Sequence, residues 1–189
     1  MSRLQSERLI LRPWEERDRD FWADLNADPE VMRFFEATRD RRESDIVFER
    51  LREHFARNGF GFWVLEKKED GTQIGFTGLH VADFPAQFTP AIEIGWRLKR
   101  QEWKKGYASE AALASLAHAF GPMGLEEVVS FAVEGNEASF AVMRRIGMRR
   151  RPDLDFDHPY LPAHSPLRRH LTYAITAAQW QESEAPTGA

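Results

Sequence analysis

The chain has 189 residues, 42% of them hydrophobic, and a formal net charge of −4. That size and apolar content suit one domain with a sizeable core, and the acidic balance argues against a general nucleic-acid binder, which needs an uncompensated basic surface. Cysteine is absent, which excludes disulfides, a thiol nucleophile and cysteine-based metal sites. No apolar run reaches membrane-spanning length, and the opening Met1-Ser2-Arg3-Leu4-Gln5-Ser6 lacks the apolar core of a signal peptide. A cytoplasmic protein with neither a membrane nor a nucleic-acid partner is expected.

In chain order, Leu9 and Leu11 alternate with Arg8, Ile10 and Arg12, which predicts a strand near 7–12. Phe21, Trp22 and Leu25 follow at helical spacing. Val47, Leu51 and Phe55 recur every four residues and predict an amphipathic helix over 43–57, stopped by Asn58-Gly59. Residues 60–66 and 73–81 read as strands joined by the turn Lys68-Glu69-Asp70-Gly71. A loop with two prolines, 83–90, leads into a strand at 91–98, a loop at 99–105 and a helix at 106–120 that ends at Gly121-Pro122. Val128 to Val133 is a short apolar strand without alternation, as expected when both faces are covered. Asn136 suits an N-cap, Phe140, Met143 and Ile146 form a stripe behind it, and Gly147 closes that helix. A polar, proline-bearing segment at 152–169 precedes a last strand at 170–176. The pattern is mixed α+β, a single domain over 1–180 followed by a flexible acidic tail over 181–189.

The segment carrying most chemistry is Trp103-Lys104-Lys105-Gly106-Tyr107-Ala108-Ser109-Glu110-Ala111-Ala112. A strand, a basic glycine-containing loop and a helix N-terminus make an anion cradle, because the first-turn N–H groups lack intrahelical acceptors and the helix dipole favours negative charge. Gly106 and Ala108 let a pyrophosphate approach the backbone. The P-loop string is absent, and the dinucleotide fingerprint comes no closer than Gly59-Phe60-Gly61, with Val at position 64.

The 103–112 string resembles the acyl-CoA loop of the GNAT acetyltransferases, in particular the RimJ/RimL-like branch that acetylates protein N-termini. That branch commonly has glycine where Lys104 stands and threonine where Ser109 stands. Glu7-Arg8-Leu9-Ile10-Leu11-Arg12-Pro13, Asp28-Pro29-Glu30-Val31-Met32, Gly75-Phe76-Thr77-Gly78-Leu79 and the run from Asn136 to Met148 are similar to its other motifs, in the expected order over about residues 7 to 176. The resemblance implies the GNAT fold, a mostly antiparallel sheet with a splayed parallel strand pair at 91–98 and 128–133, and acetyl-CoA as co-substrate. It implies that the backbone at Ile94, Trp96 and Leu98 pairs with the pantetheine amides. Lys104, Lys105, Gly106, Tyr107, Ala108 and Ser109 would hold the pyrophosphate. Asn136, Ser139 and Met143 would lie near the sulfur.

Acetyl transfer needs a neutral amine, and Glu93, mid-strand just before the cofactor loop, is the candidate general base. Alternation puts Glu93 and Gly95 on the face opposite Ile92, Ile94 and Trp96. The competing reading has Glu93 facing water or paired with Arg97 on that same face. Many GNAT enzymes carry a tyrosine at the position of Met143, and methionine cannot protonate a thiolate. Ser139 is the next candidate donor, with helix capping by Asn136 the plainer role for that pair.

Phe34 and Phe35 fall where this family builds its acceptor wall, and with Trp63 and Trp96 they are candidates to line a substrate groove or, equally, to be core. The length and prolines of 152–169 predict a packed loop, and the resemblance implies that it leaves the sheet where the acceptor approaches, with Asp157, His158 or Tyr160 toward the amine. His80, after the third strand, is a further acceptor-side candidate. His158, His164 and His170 lack the close spacing of a zinc site, so no metal is expected. The acceptor is a primary amine on a protein N-terminus or a small molecule, a homodimer is allowed, and the rival reading is a non-catalytic acyl-CoA-binding module of the same fold.

Overall fold

Leu9 and Leu11 are fully buried while Ile10 between them is partly exposed, so the alternation seen in the sequence does set a strand. In the computed structural model, which describes residues 3–184, this strand is β2 (Leu9–Arg12), preceded by β1 (Leu4–Gln5). β2 pairs antiparallel with β1 on one side and with β3 (Phe62–Lys67) on the other; β3 pairs antiparallel with β4 (Gln73–Ala82). Two compact units make up the chain. The first runs to His80 and resumes over Gly95–Ser115; the second takes Val81–Ile94 and the chain from Leu116 onward.

The first unit's core is aromatic. Helix α1 (Arg19–Ala27) supplies Phe21, Trp22 and Leu25, and α2 (Arg41–Asn58) supplies Phe48; these pack with Trp14, Val64 and Phe76. Asp40 starts α2 through a reciprocal capping box with Glu43, and Gly59, at φ 75°, ends it in the left-handed conformation that glycine adopts without strain. Of the expected stripe of Val47, Leu51 and Phe55, only Phe55 is buried. Phe48 is buried beside it, and Val47 and Leu51 lie at the margin of the core. Trp63, a groove candidate from sequence, is wholly buried against Phe55 and belongs to the core.

Two features of this unit were not apparent in the pattern. Arg12 is buried, with Asp18 chelating its guanidinium at 2.6 and 2.8 Å and Glu66 accepting from Nε at 2.9 Å. Burial opposes its charge, but the two carboxylates more than offset that and raise its pKa. Gly75 and Gly78 are sites of close approach. A Cβ at Gly75 would meet the Arg97 carbonyl at 2.3 Å, and one at Gly78 the Gly61 carbonyl at 2.2 Å.

In the second unit, β5 (Ala91–Leu98, its first half here) pairs parallel with β6 (Glu127–Val133) through the register Glu93↔Val129. β6 pairs antiparallel with β9 (Arg169–Thr176) along its full length, from Glu127↔Thr176 to Val133↔His170. The short strands β7 (Arg149–Arg150) and β8 (Phe156–Asp157) both add to β9 antiparallel. Helix α3 (Tyr107–Phe120) ends in this unit. Helix α4 (Glu137–Arg145) follows β6 and buries Phe140 and Met143. The 152–169 segment is therefore partly regular, with a single 3-10 turn at Pro152–Leu154 and then β8.

A last helix, α5 (Ala177–Glu184), occupies the start of what the sequence suggests is a tail. Thr176 and Gln179 cap it reciprocally, and Trp180 packs on Phe120 with ring centroids 5.9 Å apart. The remainder of the expected tail, 185–189, lies outside the described residues. Among the described residues no helix is long and apolar enough to cross a membrane.

Candidate active site

The loop between β5 and α3 is built by its own strain and by one long-range ion pair. Lys104 stands at φ 62°, the left-handed conformation that a side chain disfavours, and Gly106 at φ 85°. The resemblance places glycine at position 104 in related chains, and the backbone here keeps the glycine conformation after the side chain has changed. Trp103 anchors the loop by donating from Nε1 to the Leu98 carbonyl at 2.9 Å. Helix α3 begins at once: the Glu110 N–H bonds to the Gly106 carbonyl at 3.0 Å.

Glu110 ties this turn to the N-terminal strand region. Its Oε1 accepts from Ser6 Oγ and from the Arg8 N–H, both at 2.7 Å, and its Oε2 accepts from Arg8 Nε at 2.6 Å. Arg8 in turn donates to the Lys105 carbonyl at 3.1 Å and lies 4.4 Å from the Tyr107 ring centroid. Desolvation pushes the Glu110 pKa up, but the bonds from Ser6 and Arg8 outweigh it and the net shift is downward.

These residues fit a diphosphate. A Cβ on Gly106 would meet only Arg8 Nη2, at 3.4 Å, so the space over the turn is otherwise open. Lys105 is paired with Glu102 at 3.0 Å, whereas Lys104 is exposed and has no carboxylate partner among the described residues. Ala108 and Tyr107 are half-buried in the first turn of α3, and Ser109 is buried. First-turn N–H groups with a loose cation above them are the donor set an oxyanion requires.

In the second unit, Glu93 is half-buried and is paired to Val129 in the parallel ladder. Ser130 Oγ donates to the Ile94 carbonyl at 2.9 Å, so a side chain makes the next bond of that ladder. In the first unit, Thr77 Oγ1 donates likewise to the Gly95 carbonyl at 2.9 Å. Trp96 is half-buried and Leu98 buried. Asn136 caps α4, its Oδ1 accepting from the Ser139 N–H at 3.2 Å. Ser139 is half-buried with no bond to its hydroxyl among the described residues, and Met143 is buried. The capping role suggested by the sequence is thus present in the geometry.

Register puts Glu93, Val129, Phe131, Thr172, His170 and Phe156 on one face of β5, β6, β9 and β8. Phe131, Phe156 and His170 meet there with centroids 5.2–6.1 Å apart. Phe84 and Phe88, from the loop before β5, close over Phe131 and Phe156. His158 joins the cluster against Phe84 and His170, with Tyr160 at its edge, 72% exposed. Burial lowers the His170 pKa, and its Nδ1 lies 3.0 Å from the Arg168 carbonyl. Asp157 is engaged by Arg168 and Arg169 at 3.6 and 3.5 Å. Only His158 and Tyr160 of this cluster were candidates from sequence; the Phe84/Phe88 spacing within a proline loop was the available signal for the rest.

In the first unit, His80 stacks on His54 at 4.3 Å and on Phe62 at 5.4 Å. Phe34 lies under Arg33, while Phe35, 43% exposed, covers the Arg97 guanidinium at 4.3 Å. Arg97 is occupied by Asn26 and Met32 rather than by a carboxylate.

Residues 8–149 match the model of the acetyltransferase (GNAT) domain. The chain belongs to the GNAT family and is an acetyl-CoA-dependent acetyltransferase of the GNAT fold. It is 29% identical over 191 residues to the FsC-acetyl coenzyme A-N(2)-transacetylase of Aspergillus fumigatus, covering 97% of this chain and 80% of that protein. Among solved structures, an acetyltransferase of Agrobacterium tumefaciens superposes with a TM-score of 0.75 at 29% identity, covering 93% of this chain and 94% of the other. A GNAT-family acetyltransferase of Bacillus anthracis gives a TM-score of 0.77 at 24% identity, over 94% and 99% of the two chains, and speaks for the fold alone.

Proposed function

We propose that the chain transfers the acetyl group of acetyl-CoA to a primary amine by direct attack in a ternary complex, in the manner of the RimJ/RimL-like branch. The observation that carries this reading is the turn at 104–110, held in left-handed geometry at Lys104 and Gly106 and fastened by Glu110 to Arg8. In the proposal that turn holds the pyrophosphate, and the backbone at Ile94, Trp96 and Leu98 pairs with the pantetheine arm. The coenzyme supplies the thioester.

Glu93 takes the proton from the attacking amine, directly or through water, as the N–C bond forms. The tetrahedral intermediate then collapses with breakage of the C–S bond. The leaving thiolate needs a proton, and a buried methionine at 143 has none to give. Ser139, whose hydroxyl has no bond among the described residues, relays one to the sulfur while taking another from solvent water, with Asn136 holding the helix start in place. An α-amine is the favoured acceptor. Its reference pKa is about 7.7–8.0 against about 10.4 for lysine, so one carboxylate suffices near neutral pH. It is carried by a protein N-terminus or a small molecule; Phe34, Phe35, His80, His158 and Tyr160 are proposed to meet it, with Asp157 fixing the loop through its arginines.

Thiol release measured over a panel of peptides and small amines tests the reading. Glu93→Gln is expected to lower kcat/KM by about 10²–10⁴ with acetyl-CoA affinity kept. Parent-like turnover across the pH range would place the base elsewhere, and no thiol release with any amine would leave only an acyl-CoA-binding module.

A further inference from the structure

Arg97 is an anomaly of charge. Desolvation, and then the like charge of Arg39, push its pKa down to about 9, so it remains a cation at neutral pH, in surroundings that disfavour one. A guanidinium in that position is ordinarily matched by a carboxylate. Here the two acceptors are neutral: Nη1 donates to Asn26 Oδ1 at 2.6 Å and to Met32 Sδ at 3.2 Å. The rings of Phe35, Phe76 and Trp22 surround it at 4.3, 5.2 and 5.8 Å.

The other edge of the fork is idle. Nε and Nη2 have no acceptor among the described residues, and Arg97 as a whole is half-buried rather than sealed. Asn26 fixes the arrangement. It is wholly buried, its Nδ2 bonds the Trp22 carbonyl at 3.0 Å, and its own carbonyl accepts from the Arg39 N–H at 3.0 Å. The Arg39 side chain likewise has no hydrogen bond or ion pair among the described residues. The Arg97 guanidinium and the Arg39 backbone N–H both bond one buried asparagine, and no carboxylate among the described residues pairs with either side chain.

We propose that Arg97 and Arg39 form a binding site for a carboxylate carried by the acceptor amine. The pair of N–H groups on the unbonded edge of Arg97 matches two carboxylate oxygens, Arg39 adds a second positive charge, and the rings around Arg97 limit the screening of its charge by water. The substrate class is then an amine that also bears a free carboxylate, which rests on the acetyl-transfer reading above. The unbalanced charge is costly in the free protein and is relieved when the ligand arrives.

The test has two arms, with Arg97→Gln and Arg39→Gln as variants. Thermal unfolding is followed while sodium acetate is titrated at constant ionic strength, with chloride as control. The parent is expected to gain stability saturably with acetate, Arg97→Gln to lose the response, and Arg39→Gln to show a weaker one. In the second arm, thiol release is compared for an acceptor with a free carboxylate and for its carboxamide. The KM ratio is expected to favour the carboxylate by about 10–100-fold in the parent and to fall toward one in Arg97→Gln.

A flat acetate response in the parent, or a KM ratio that Arg97→Gln leaves unchanged, overturns the site. Should Arg97→Gln weaken binding of CoA but not of dephospho-CoA, the anion belongs to the coenzyme and the acceptor assignment falls. An acetate response that persists in a protein with no acetyl transfer to any amine would refute the acetyl-transfer reading and leave the anion site standing. Arg39→Gln carries the test alone if Arg97→Gln does not fold, because the Arg39 side chain makes no hydrogen bond or ion pair among the described residues.

Discussion

Replacing Glu110 with glutamine should loosen the cofactor turn without touching any residue that meets the reaction. The carboxylate accepts from Ser6 Oγ, the Arg8 N–H and Arg8 Nε at 2.6–2.7 Å, and Arg8 Nη2 lies 2.6 Å from its Oε2. A glutamine keeps one acceptor oxygen and turns an NH₂ toward a donor. Bonds to a charged group contribute about 1.5–3 kcal/mol each against a neutral replacement, but the Arg8 side chain is 45% exposed and its ion pair must be discounted to about 1 kcal/mol or less. A net loss of about 2 kcal/mol follows, and if all of it is spent re-ordering the turn, acetyl-CoA affinity falls about 30-fold. Urea unfolding and calorimetry with acetyl-CoA measure the two sides. The folded pKa of Glu110 is depressed, so its contribution is complete above the unfolded value of about 4.3 and is lost as pH falls through the folded one. The stability gap between parent and variant should close in that acid window. Equal stability and equal affinity at pH 7 would refute the fastening role.

Three further substitutions probe the same framework. Gly106→Val puts a β-branched residue at φ 85°, and calorimetry should show acetyl-CoA binding weakened by at least about tenfold against about threefold or less for Lys104→Ala. Lys104→Gly removes a left-handed side chain. The gain of about 1–2 kcal/mol, less about 0.4–1 kcal/mol for added freedom in the unfolded chain, should raise Tm by a few degrees in a thermal scan. Asp155→Asn breaks the buried carboxylate that Arg150 grips and that accepts the Thr172 N–H at 2.9 Å. A loss of about 2–3 kcal/mol in chemical denaturation is expected above pH 5, shrinking as pH falls through the depressed Asp155 value.

What the sequence revealed and concealed follows from the range of the interactions. β5 appears at 91–98 as expected because a period-two pattern between a proline and a charged loop is local information. α4 likewise starts at Asn136 and buries Phe140 and Met143, since cap and stripe lie within a few turns. Strands of two residues such as β1, β7 and β8 carry no period at all and exist only because a distant partner is present. Arg12 looked like a solvated strand face because Asp18 and Glu66, which make its burial tolerable, are 6 and 54 positions away. Likewise nothing local announces that Arg97 donates to Asn26, 71 positions distant. The elements bearing the proposed catalytic groups were legible, and the aromatic face beside Glu93 was not, because it is assembled from four separate segments.

The fastening of Arg8 to Glu110 also has a kinetic side. The two residues are 102 positions apart, so their contact closes one of the longest loops in the chain and forms only after nearer pairings have covered the entropic cost. Such a contact is weak or absent in the folding transition state. Its removal is therefore expected to quicken unfolding and to leave the folding rate nearly unchanged. The cofactor turn is among the last parts of the molecule to set and among the first to let go. A ligand seated on it would act as a brake on unfolding well beyond its own few contacts.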